Sequence, residues 1–496
     1  MAQPEPNDCK WVWLLCLLAG IHVLIFSAAF PFFNNTDEGE HFDLVLKYSH
    51  GDVPRGMDVS SDECIRYFAL YSASFYLGSA ADAGEFLPPP WEWPSQQENT
   101  IFQSARKSTR GIINQESSQP PLYYVLAGAW WRLGGAFGLD GGQRLYWLRF
   151  LNVPIVAMVV WLGWLAARLV FPADKFLRLG VPALLAFFPQ SAFYSIQNDV
   201  LSPVCFGAAF IYLIHLMNED IPKVRLGIAA GLALAATYLV KPSNLPLVAV
   251  SVAMLFFLAL KLWRSGKLHP ALPTFCWLAA CAALPALLWA IWCQKHFGSL
   301  TGSRPKVLAL GWTLQPFNAW WHHPIFTPHG LWIFLSQLLA CFWQGEMTHH
   351  HQPLNRPLVN LFYAVVTLFL LVVALAGLQP CGPAPSAPQR RALVFSFITC
   401  LAAVSFLGFL SVIYDFHDCI YPSREHPFFT SGRLMLGALI PFSLLFVHGL
   451  DRVLGWFKLD DASKFRALGA LIFFVLSAEI FTNWPAFADE YNWFHM

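Results

Sequence analysis

The run WVWLLCLLAGIHVLIFSAAFPFF, Trp11 to Phe33, decides the fold. It carries no Asp, Glu, Lys or Arg, and it is long enough to cross a hydrocarbon core roughly 30 Å thick, which takes about 20 apolar residues. No small-x-small cleavage site precedes Asn34, so the run reads as a retained helix rather than a signal peptide. Similar runs recur near 149 to 171, 179 to 196, 200 to 217, 225 to 241, 245 to 262, 271 to 293, 357 to 378, 392 to 413, 434 to 450 and 467 to 483, which makes eleven spans. Composition agrees: 56% of the 496 residues are hydrophobic and 12% charged, against roughly 25% charged in a soluble domain. The reading is an all-α polytopic membrane protein. With 31 Lys and Arg against 30 Asp and Glu, there is no basic field to hold nucleic acid.

Positive residues cluster in Lys261 to Lys267, at Arg390-Arg391, and in the stretch with Arg452, Lys458, Lys464 and Arg466. Cytoplasmic loops retain such charge, so these loops and the N-terminus are placed inside. Two apolar segments, Pro120 to Phe137 (interrupted by Arg132) and Leu331 to Gly345, are short and begin and end on the outer side; they are expected as interfacial helices. The loops between spans are a large first outer loop, 34–119, and outer loops 294–330 and 414–432. They divide the chain into a core, 1–293, and a C-terminal membrane region, 294–496. Pro88-Pro89-Pro90-Trp91-Glu92-Trp93-Pro94 is expected to be extended and helix-free. Of the 11 Cys, Cys64 and Cys419 fall clearly in outer loops, where a disulfide and two free thiols are both open.

On this topology most polar residues at span ends fall on the outer side. Asn34-Asn35-Thr36-Asp37-Glu38-Gly39-Glu40-His41-Phe42 sets three carboxylates and an imidazole where the first span ends. A capping box from Asn35 to Glu38 is the bland explanation. Asn198-Asp199 lies in a tight connection between spans, where an acid needs a wet cavity or a partner; turn formation is the competing account. Lys241 ends an apolar helix on the outer face and suits a phosphate, although snorkelling explains it too. Arg433, after Thr430-Ser431-Gly432, is shaped to grip a phosphate with two parallel hydrogen bonds; Arg424, Glu425 and His426 precede it. His349-His350-His351 lacks a companion ligand at metal spacing, so no metal site is expected.

The order of Asp37-Glu38 with His41-Phe42, a long outer loop, Gln119-Pro120-Pro121-Leu122-Tyr123-Tyr124 and Asn198-Asp199 resembles the GT-C superfamily of integral membrane glycosyltransferases. Within it, the likeness is to the bacterial branch related to protein O-mannosyltransferases and lipid A aminoarabinose transferases. Ser431-Gly432-Arg433-Leu434 and Phe342-Trp343-Gln344-Gly345 look similar to a further bacterial subgroup. The resemblance implies a transferase that takes a sugar from a polyprenyl-phosphate donor on the outer face. The acceptor is a hydroxyl or amine on a glycan, lipid or protein. Asp37 maps onto the general base and Glu38 onto the neighbouring acid. His41, Gln119, Tyr123, Asn198, Asp199, Lys241, Arg424 and Arg433 map onto substrate binding. Gln119 stands where His or Lys often precedes the prolines, which shifts the donor-phosphate contact toward Lys241 and Arg433.

The chemistry fits: displacing phosphate from an anomeric carbon needs a base for the acceptor proton and cations for the leaving group. Single displacement with inversion, no cofactor and no tightly bound divalent metal are expected, in the inner membrane of a bacterium. The rival class, a transporter or flippase of a lipid-linked or anionic substrate, calls for ionisable groups near mid-bilayer and paired broken helices. The spans' middles are nearly free of charge.

Overall fold

The computed structural model describes residues 6–72, 93–349, 352–378, 385–419 and 421–495. The fold is all-α, with two minor two-stranded pairings in loops. Among the described residues nine segments are long and apolar enough to cross a membrane, from Asp8–Ala29 to Asp461–Phe487. Val224–Val240 is a shorter apolar helix and Lys175–Ala186 has 12 residues. Together they account for the eleven expected runs. One buried apolar cluster extends from Val12 to Ala486 and joins them.

The helices used below are α1 (Pro6–Ala29), α2 (Glu38–His50), α3 (Asp62–Tyr71), α4 (Ser95–Ser108), α5 (Leu122–Ala136), α6 (Asn152–Val170), α7 (Lys175–Ala186), α8 (Ser202–Asn218), α9 (Val224–Val240) and α10 (Pro328–Gln344). The expected interfacial helices are α5 and α10, with 15 and 17 residues, both short of the roughly 20 a crossing needs. The first outer loop is more ordered than its composition implies, because α2, α3 and α4 form within it. Trp131 of α5 packs its ring against Phe42 at 5.4 Å and Tyr67 at 5.6 Å, which seats the loop on α5. Residues 88–92 of the proline run lie outside the described residues; Pro94 is extended and starts α4. Cys64 and Cys419 are free thiols.

The run expected as one span at 179–196 differs. Its helix stops at Ala186, and Pro189 bars a continuation because it has no N–H to give and clashes with the preceding turn. Residues 188–200 then run irregularly through 3₁₀ turns, all buried. Non-helical backbone at membrane depth is tolerated where protein covers it, and here it is walled by α1, α6 and α8.

The charged loops gather at one end of the bundle. Asp8 accepts from Arg178 at 2.9 Å, Arg391 donates to the Met217 carbonyl at 3.2 Å, and Lys267 pairs with Asp220. The polar residues of the opposite end meet in a single cluster.

Candidate functional site

Seven chain segments, carrying Asp37, Gln119, Asp199, Lys241, Lys306, Glu346 and Arg433, build the cluster. The first leaves α1 through a tight turn in which Asp37 takes φ 63° and ψ 9°, a left-handed conformation that Asp tolerates better than most residues. In that turn the expected capping box does not form. Asn35 turns its amide to Ser191 at 3.1 Å and Ser195 at 2.8 Å, and Asp37, the residue preceding α2, makes no side-chain cap. Its carboxylate is thereby free for Arg433, with which it pairs.

Arg433 is the hub. Its Nε lies 2.8 Å from Glu346, its Nη1 donates to the Thr36 carbonyl at 3.2 Å and lies 3.9 Å from Asp199, and its Nη2 holds Asp37. Lys241 meets the same Asp199 oxygen at 2.6 Å. Two glycines set this geometry. A Cβ on Gly432 would lie 2.1 Å from the Phe342 backbone nitrogen, so only glycine lets the Arg433 turn approach α10 this closely. Gly345, at φ 84°, turns the chain after α10 so that Glu346 faces Arg433.

Gln119 joins the second half of the cluster. It donates to Glu116 at 2.5 Å and accepts from Asn198 at 3.2 Å, while Glu116 is paired with Lys306. His41 Nδ1 lies 2.7 Å from the Tyr124 hydroxyl, and the ring sits in the fields of Glu116, Lys241, Asp37 and Arg433. Asn34 Nδ2, His41 Nε2, Gln197 Oε1 and Asn198 Oδ1 are buried without a protein partner. Buried polar atoms in this state are satisfied by water or a ligand. Asp37, Lys306 and Glu346 form the accessible mouth, with side chains 31%, 30% and 15% exposed, whereas Asp199 is 1% exposed.

Burial by itself would raise the Asp37 carboxyl, but the Arg433 guanidinium, with Lys306 adding to it, holds the group below its ordinary value. Burial, reinforced by the charge of Asp37, pushes Glu40 up to about 7. Burial brings His41 down to about 4, leaving its ring neutral near pH 7. Burial would raise Glu116 as well, but Lys306, with Lys241 adding to it, holds its carboxyl below the ordinary value. The five carboxylates of Asp37, Glu40, Glu116, Asp199 and Glu346 face three cations, Lys241, Lys306 and Arg433.

The structure thus brings together Asp37, His41, Gln119, Asn198, Asp199, Lys241 and Arg433 of the residues named from sequence. Two others, Glu38 and Arg424, lie elsewhere, and Tyr123 borders the cluster. Glu38 points away from the cluster and grips Arg149 through two contacts of 2.8 Å, also accepting from Phe33 N at 2.9 Å and Ile196 N at 3.0 Å. With every lone pair engaged and the pair sealed from solvent, Glu38 is a structural anchor between the start of α2 and the helix Gly141–Arg149. Arg424 is exposed and pairs with Asp415 at 3.2 Å. Tyr123, buried at 1% exposure in α5, meets the Gln197 backbone and the field of Asp199 at the edge of the cluster. His349 pairs with Asp489 at 2.9 Å; His350 and His351 lie outside the described residues.

Sequence reasoning passed over Glu116, Lys306 and Glu346. Glu116 stands three residues before Gln119, Glu346 directly follows the Phe342–Gly345 motif, and Lys306 is a cation on an outer loop against the charge trend. It also passed over a buried pair inside the spans, His22 with Glu479 at 3.0 Å, where the Tyr194 hydroxyl donates to Glu479 at 2.6 Å.

Comparison with known proteins places these residues in context. A family model described as "Predicted membrane protein (DUF2142)" matches residues 21–414. No curated protein matches the sequence. The crystal structure of ArnT from Cupriavidus metallidurans bound to undecaprenyl phosphate is similar at 13% identity and a TM-score of 0.33, over 90% of this chain and 78% of that one.

Proposed function

The chain belongs to the DUF2142 family of predicted membrane proteins, and from its cluster we propose a membrane glycosyltransferase that moves a sugar from a polyprenyl-phosphate donor to an acceptor hydroxyl or amine. The single observation carrying this reading is Arg433 holding Asp37, Asp199 and Glu346 together beside Lys241. A base at the accessible mouth and two cations just beneath it, suited to grip a phosphate, are drawn together from distant segments.

The proposed cycle starts from the Asp37–Arg433 pair. A donor phosphate entering the mouth takes the guanidinium, which suits two parallel hydrogen bonds. Asp37 then loses the partner that holds its pKa down and becomes a better base. It accepts the acceptor proton as the acceptor oxygen or nitrogen attacks the anomeric carbon and the carbon–oxygen bond to phosphate breaks, with inversion. Lys241 and Arg433 stabilise the charge left on the polyprenyl phosphate. The reaction so drawn assigns no role to a bound metal. The charge pattern of the opposite loops supports the cluster lying on the outer face, and the setting proposed with it is a bacterial inner membrane.

A flippase or transporter reading draws on the His22–Glu479–Tyr194 group, since ionisable residues within spans often mark transport paths. Purified full chain incubated with a panel of polyprenyl-phosphate sugars separates the two. Release of carrier phosphate with a new glycoside supports transfer; movement of intact donor across proteoliposomes without cleavage supports transport and rejects the transferase.

A further inference from the structure

A second site lies at the far end of the bundle. Between α6, α8 and α9 is a cavity of about 1130 Å³, lined at its outer rim by Arg168, Arg178, Lys223 and Arg225 together with Asp8 and Glu219. Arg178 is matched by Asp8 at 2.8 Å and Lys223 by Glu219 at 3.7 Å. Arg225 is exposed and makes no ion pair among the described residues. Arg168 lies over the Trp164 ring at 5.4 Å, and the rim lining carries four cations and two acids.

Below the rim the lining changes to Leu165, Ile211, Leu226 and the small residues Ala208 and Ala229, which keep the helices from filling the space. From Glu219 to Ala208 the cavity follows α8 for about 16 Å at 1.5 Å per residue. That is about half of a hydrocarbon core, the depth of one leaflet. A cationic rim over an apolar shaft one leaflet deep has the polarity profile of a single anionic lipid. A soluble anion would use the rim and leave the shaft unfilled.

We propose that this cavity binds one membrane lipid with an anionic phosphodiester headgroup, from the leaflet opposite the Asp37 cluster. The phosphate sits among Lys223, Arg225 and Arg168, and an acyl chain runs down the groove between α6 and α8. Lys/Arg attraction to anionic lipid supplies selectivity, and burial of the chain supplies retention.

The test is native mass spectrometry of detergent-purified full chain titrated with dioleoyl phosphatidylglycerol, dioleoyl phosphatidylcholine or inorganic phosphate. The proposal expects retention of phosphatidylglycerol about tenfold or more over phosphatidylcholine, and no competition by phosphate. Arg225→Gln with Lys223→Gln, both exposed and therefore tolerant of change, should remove that preference. Ala208→Trp, which fills the shaft, should weaken retention of phosphatidylglycerol about tenfold; the rim variant serves alone if this one fails to fold. Equal retention of the two lipids, an unchanged preference in the rim variant, or displacement of phosphatidylglycerol by inorganic phosphate overturns the proposal, the last assigning the rim to a soluble anion.

Discussion

Arg433 holds the carboxylate of Asp37 across a sequence separation of 396 residues, so the first turn after the first helix and the start of a late span form one site. Each half of the pair has a second commitment: Asp37 to the left-handed turn before α2, Arg433 to Glu346 and Asp199. The pair is therefore sprung at its exposed end and fixed at its buried end.

Asp37 and Glu38 adjoin in sequence and differ in kind. Glu38→Gln leaves Arg149 as a buried, uncompensated charge, and should cost about 3 to 5 kcal/mol, seen as a large drop in thermal unfolding midpoint. Asp37→Asn, in a side chain 31% exposed, should leave the midpoint nearly unchanged.

Removing Lys241 leaves Asp199, which is 1% exposed, with Arg433 at 3.9 Å as its remaining ion-pair partner among the described residues. Lys241→Met should therefore destabilise by about 3 kcal/mol. Adding Asp199→Asn to that variant should recover most of the loss. A double-mutant cycle on unfolding midpoints measures the coupling.

Glu40 sets a pH dependence. Its folded-state carboxyl is raised from 4.5 to about 7, so the folded protein binds a proton more tightly there than the unfolded chain. Stability from this group falls as pH rises through that window and stays low above about 7. Glu40→Gln should remove the decline, raising the unfolding midpoint at pH 8 while leaving it unchanged near pH 4. Thermal unfolding at the two pH values checks this.

Gly432→Ala places a methyl 2.1 Å from the Phe342 backbone nitrogen and 2.5 Å from its Cα. Backbone must move, and Arg433 with it. A loss of about 1 to 3 kcal/mol should accompany a larger loss of transfer than the same change at Gly469, where a Cβ meets nothing within 4 Å.

The apolar runs fixed where helices lie, because length and freedom from charge are properties of a single segment. Asp37, Asp199, Lys241 and Arg433 were legible for a related reason: each breaks an apolar context at a span end. The pairing of Glu38 was not legible, because a carboxylate carries no mark of its partner and Arg149 is 111 residues away. Arg424 sits in the same loop as Arg433, yet its fate depended on Asp415. Glu116 lies in a turn and Lys306 on the short helix Ser303–Ala309, each in a different outer loop, so their meeting is a property of tertiary packing alone. The stretch 179–196 misled because average hydropathy does not register where Pro189 stops a helix.

The central claim is that Asp37 takes the acceptor proton after donor phosphate claims Arg433. Polyprenyl phosphate released from labelled donor should be compared for wild type and Asp37→Asn at matched unfolding midpoints. A fall of about a hundredfold or more with donor still bound is the predicted result; release at the wild-type rate by Asp37→Asn contradicts the claim.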